Sequence, residues 1–175
     1  MKASRVNRYL IAGCACFVSL LPGTQAQVSP VSSVAWLNLF RQDRADCATL
    51  MGTANTPEER GATWTLTEAA THMALYAEAV EGMSAMYGAV NDDSKQIALQ
   101  TMIPRLRDIK DRFKGEVEDC SSVIGFARRP GTVSAAEHLR DHIRRFETSI
   151  NFIIACANKP KTPVNFDDLI PRRKL

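Results

Sequence analysis

Residues 56–90 read TPEERGATWTLTEAATHMALYAEAVEGMSAMYGAV. In the opening Thr-Pro-Glu-Glu, Thr56 is placed to cap a helix. Pro57 takes the first turn, where its missing N–H costs nothing, and Glu59 can close a capping box. Leu66, Met73, Val80 and Tyr87 then recur every seven residues, flanked by Ala70, Ala77, Met83 and Val90. That spacing predicts a long amphipathic helix whose small residues let a neighbour approach closely. A second capping signature, Thr65-Leu66-Thr67-Glu68 with Trp64 placed to staple onto Ala69, predicts a short extra helix near residues 57–63 that turns near Gly61.

The same period appears in three other segments, and no segment alternates as a strand does. From about Val34 to Met51, Trp36, Phe40, Cys47 and Met51 share a face, with Ser33 as cap and Gly52 as stop. From Asp92 or Asp93 to about Ser122, Leu99, Leu106, Phe113 and Cys120 repeat at seven, joined by Met102, Ile109, Val117 and Ile124. Its outer face offers the i,i+4 pairs Asp108–Arg112, Arg112–Glu116 and Lys114–Glu118, each worth a few tenths of a kcal/mol. Pro104 removes a backbone donor and should kink this helix or split off its first turns. The last segment opens at Ser134-Ala135-Ala136-Glu137, a third capping box. Its stripe is Leu139, Ile143, Phe146, Ile150, Ile153 and Ala157, and Asn158-Lys159-Pro160 stops it. Four amphipathic helices on short connections imply an all-α fold, an antiparallel four-helix bundle over residues 27–158 with shallow crossings of about 20°.

The ends are different. Lys2, Arg5 and Arg8 are the only charges in the first forty residues. The uncharged run Tyr9–Leu21 follows, then Pro22, Gly23 and Thr24-Gln25-Ala26. A basic start, an apolar core and small residues before a cleavage point make residues 1–26 a secretory signal cut after Ala26. The run falls short of the about 20 apolar residues a membrane span needs. Ile11-Ala12-Gly13-Cys14 resembles a lipobox, but cleavage there would leave an apolar core too short for a signal. The expected location is the periplasm or the extracellular space, with no membrane anchor after cleavage. Residues 159–175 form a basic tail in which Phe166, Leu169 and Ile170 could lie on the bundle surface.

Cleavage removes the whole formal charge of +3 and leaves 19 basic against 19 acidic residues. The apparent basicity therefore argues for no nucleic-acid or membrane-surface partner. Charge is nevertheless polarised. Residues 27–93 carry three bases and nine acids, and residues 94–175 carry sixteen and ten.

Two of the five cysteines leave with the signal. In an up-down-up-down bundle the C-terminal ends of the first and third helices meet, which predicts a Cys47–Cys120 disulfide in an oxidising compartment and leaves Cys156 at the opposite pole.

For catalysis the sequence offers little. It has no Gly-x-Ser-x-Gly, Ser-x-x-Lys, His-Glu-x-x-His or phosphate-cradling glycine loop, no Cys-x-x-Cys-His for haem, and no Glu-x-x-His for a di-iron site. His138 and His142, one helical turn apart with Asp141 between, form the candidate metal set. His72 with Glu68 is a second conceivable pair, although a surface contact explains it as well. Arg128 and Arg129 on an exposed turn, with Arg140 and Arg144 beyond, are the candidate residues for an acidic protein partner. The expectation is an exported, non-enzymatic interaction protein of the immunity, inhibitor or chaperone type, without a cofactor. A metal-binding or enzymatic bundle using His138, Asp141 and His142 and a secreted effector are the alternatives.

Overall fold

The computed structural model describes residues 32–158. The expected signal segment with its expected cleavage point, the lipobox-like run, and the tail from residue 159 lie outside the described residues. Among those described are four helices and no strand: α1 (Ser32–Gly52), α2 (Pro57–Ala89), α3 (Asp92–Phe126) and α4 (Pro130–Ala157). None is long and apolar enough to cross a membrane.

The heptad stripes become the core. Leu66, Met73 and Val80 of α2, Leu99, Leu106, Phe113 and Cys120 of α3, and Leu139, Ile143, Phe146, Ile150 and Ile153 of α4 are all buried. At mid-height Phe146 is the hub of an aromatic cluster. Its ring centroid lies 5.1 Å from Trp36, 5.6 Å from Phe40 and 5.4 Å from Phe113. Tyr76 extends the cluster from Phe113 onto α2 at 5.9 Å. Edge and offset contacts at these separations add about 0.5–1.5 kcal/mol per pair beyond burial.

Helix α1 packs most extensively on α2, and α3 on α4. The close approach to α2 comes from buried Ala62, Ala69, Ala70 and Ala77. The glycines Gly82 and Gly88, by contrast, face open space.

Ser33, expected as a cap, lies inside α1, which begins at Ser32; two other local starts differ more from the sequence reading. Residues 57–63 are the first turns of one uninterrupted α2, so there is no separate short helix. Thr65 does not cap, because its hydroxyl donates to the Gly61 carbonyl at 3.1 Å. Thr63, Thr67 and Thr71 make the same bond one turn back. With their hydroxyls satisfied inside the helix, these threonines have no reason to break it. Trp64, expected to staple, is instead 55% exposed.

The second difference is α4, which begins at Pro130 rather than Ser134, with Arg129 as N-cap and no side-chain capping bond. A proline is preorganised for the first helical position and wins over the later Ser/Glu signature. Helix α3 runs through Pro104 as a single helix to Phe126.

Candidate functional site

The α1–α2 and α3–α4 turns lie together at one pole of the bundle. Thr56 Oγ1 accepts from the Glu59 N–H at 3.1 Å. The Glu59 carboxylate accepts from the Asn55 N–H at 3.0 Å, so the capping box closes one residue before the cap. Across the pole, Arg129 Nη1 donates to the Thr53 carbonyl at 3.2 Å and ties the two turns together.

Arg129 also borders a cavity of about 220 Å³. Its walls are Ala62 of α2, Phe126 and Ala127 at the end of α3, and Thr132 of α4, with Arg128, Arg129 and Glu58 among its other lining residues. Ala62 and Thr132 are buried, while Phe126 is 50% exposed. Thr132 Oγ1 is buried and has no hydrogen-bond partner among the described residues. An unpaired buried hydroxyl costs about 1–3 kcal/mol. That makes it a group with capacity to spare.

A second concavity of about 360 Å³ borders the first turns of α4. Asp43, Asp46, Cys47 and Leu50 contribute from α1, and Gly131, Ser134 and His138 from α4. A methyl at Gly131 would meet Leu50 Cδ2 at 3.5 Å, ordinary contact, so the end of α1 lies close beside the start of α4.

The sequence-predicted site residues divide. Arg128 and Arg129 come together at the cavity. Arg140 is half-buried and lies close enough to Cys120 to act on its ionisation. Arg144 is exposed farther along α4.

His138, Asp141 and His142 are not gathered into a ligand set. His138 lines the second concavity, and Asp141 pairs with Arg145 at 3.6 Å. The His142 Nδ1 lies 2.8 Å from Asp43 Oδ2 on α1. No group of three or more His, Cys, Asp or Glu side chains among the described residues is arranged to hold a metal ion. His72 pairs not with Glu68 but with Glu116 across the α2–α3 interface, Nδ1 to Oε1 at 3.0 Å. Glu116 is thereby withdrawn from the expected pair with Arg112, whereas Asp108–Arg112 and Lys114–Glu118 form at 3.5 and 3.7 Å.

Cys47, Cys120 and Cys156 are all buried free thiols in this structure, so the expected Cys47–Cys120 bond is not formed in it. Burial pushes the Cys47 thiol up to about 12, with Asp43 and Asp46 adding to the effect. Burial likewise pushes Cys120 up to about 12, with the charge of Cys47 as the next cause. A thiol in that range is protonated at neutral pH and is a poor nucleophile.

The pole thus brings together an apolar recess, two guanidinium groups, two carboxylates and a buried hydroxyl without a partner among the described residues. No known protein family, curated protein or solved structure matches this chain.

Proposed function

We propose that the chain is exported, loses residues 1–26, and acts without catalysis by binding a protein partner at the pole where α4 begins. The observation that carries this reading is the apolar cavity lined by Arg128 and Arg129. Apolar anchors beside arginine are the composition of energetic hot spots at protein interfaces. An immunity, inhibitor or chaperone role fits a rigid bundle that presents one such pole.

Export also sets the state of the thiols. In an oxidising compartment Cys47 and Cys120 join in a disulfide, closing a loop of about 70 residues and adding about 4 kcal/mol. Cys156, buried in the last turn of α4, stays reduced.

The test is affinity capture from periplasmic extract with the chain from Gln27 onward, run beside an Arg128→Glu/Arg129→Glu variant of unchanged helicity. A stoichiometric protein held by the parent chain and lost by the variant is expected. Equal recovery by both, or a bound cofactor in place of a protein, rejects the reading.

A further inference from the structure

Three of the four helix starts can be compared in full, and that of α4 stands apart. Helix α2 begins with a threonine cap and two glutamates, and α3 with an asparagine cap and two aspartates. Helix α4 has no side-chain cap and no acid in its first turn. The partial positive charge of its N-terminus is therefore uncompensated from within the helix. Arg128 and Arg129 add two full charges beside it.

Glu58 and Glu59 also line the cavity; both stand in the first turn of α2, where they offset that helix's own N-terminal charge, and the Glu59 carboxylate accepts from the Asn55 N–H. The second observation is independent of charge. Thr132 is fully buried in the cavity wall, and its hydroxyl has no partner. A buried hydroxyl without a partner beside a cavity points to a group that enters from outside.

Size and polarity narrow that group. The recess of about 220 Å³ is smaller than the roughly 300 Å³ at which drug-sized pockets begin. It has room for one residue, not a folded segment. Ala62, Phe126 and Ala127 make it apolar, which disfavours a bare inorganic anion. An apolar group and a negative charge must therefore arrive on a single residue.

We infer that the cavity takes the C-terminal residue of the partner, an apolar side chain bearing its own free carboxylate. The side chain packs against Phe126 and Ala127. The carboxylate meets Arg128, Arg129 and the start of α4, and accepts from Thr132 Oγ1. This rests on the proposed binding role of the pole and supplies the chemistry recognised there. Capture of a terminal carboxylate by backbone and arginine groups is an established mode of peptide recognition.

The test uses the chain from Gln27 onward, isotopically labelled, titrated with N-acetyl-leucine, N-acetyl-leucinamide or inorganic phosphate. Saturable shifts of the amides of residues 127–133 are expected with N-acetyl-leucine. Binding should be at least tenfold weaker for the amide, and phosphate at equal concentration should leave these amides unmoved. Thr132→Val, which keeps the shape and removes only the hydroxyl, should weaken N-acetyl-leucine several-fold. Equal binding of acid and amide, equal shifts with phosphate, or no saturable shift at this pole each overturns the inference. Failure here with partner capture still lost in Arg128→Glu/Arg129→Glu would leave the binding role standing. N-acetyl-leucine binding with capture unchanged in that variant would do the reverse.

Discussion

His142 Nδ1 of α4 lies 2.8 Å from Asp43 Oδ2 of α1, the two side chains only 20% and 11% exposed. This contact ties the first helix to the last, an interface far less extensive than α1 on α2. Partly buried, charge-assisted hydrogen bonds contribute about 1.5–3 kcal/mol, well above exposed pairs. Asp43→Ala and His142→Ala should each lower the melting temperature by several degrees. The double variant should cost clearly less than the sum of the two, because each single change already breaks the bond. Strict additivity in a double-mutant cycle by thermal unfolding would show that the pair contributes nothing.

Glu116 gives a pH dependence. It is 8% exposed, and desolvation holds its carboxyl above its ordinary value near 4.5. Asp119 and Glu68 push the same way, while His72 opposes them. A raised folded-state value means the folded chain holds this proton more tightly than the unfolded chain. The resulting stabilisation is complete below about pH 4.5 and is lost as pH rises through the raised value. Glu116→Gln cannot lose a proton. The melting temperature of this variant minus that of the parent should therefore grow as pH rises above 4.5, then level off. A constant or shrinking difference across pH 4 to 8 would contradict the assignment.

Phe146 touches aromatic partners on α1 and α3. Its replacement by alanine should cost about 3–5 kcal/mol in denaturant unfolding, the range for buried aromatic truncations. Trp64→Ser, at a side chain more than half exposed, should cost under about 1 kcal/mol. Similar losses for both would mean that the core is not where the structure places it.

The thiols provide a chemical check. With Cys47 and Cys120 pushed up to about 12, these two thiols of the reduced folded chain should react with iodoacetamide at neutral pH orders of magnitude more slowly than in the unfolded chain. Under the proposed export, non-reducing peptide mapping should link Cys47 to Cys120. Rapid alkylation of Cys47 or Cys120 in the native state would contradict their burial, and a Cys120–Cys156 link would contradict the placement of these two cysteines at opposite poles.

The bundle was legible because its apolar stripes are strong. Every residue of the α4 stripe, from Leu139 to Ala157, is buried. Where polar residues occupy the seam, hydrophobicity misleads. The register Met102, Ile109, Glu116, Val123 continues at sevens and all four side chains are buried. Reading for apolar character instead moves the stripe to Val117 and Ile124, which are only half-buried.

The two histidine–carboxylate pairs were hidden for the same reason. Asp43 follows Phe40 by three and precedes Cys47 by four, and His142 stands likewise between Leu139 and Phe146. Such flanking positions meet a neighbouring helix, but the sequence does not state which one. The start of α4 was misplaced because Ser134 and Glu137 spell a capping box that Pro130 overrides. As a result, the cavity that Thr132 helps to form could not be anticipated.

Under the proposed function, a protein partner seats at the Arg128–Arg129 pole. The most direct measurement of this seating is site-specific photocrosslinking in the exporting cell, with benzoylphenylalanine replacing Phe126 at this pole or Ile97 at the other. Both side chains are at least half exposed. One discrete protein adduct is expected from position 126, abolished by Arg128→Glu/Arg129→Glu, and none from position 97. An adduct from position 97 alone, or one from position 126 that survives the charge reversal, would contradict this seating.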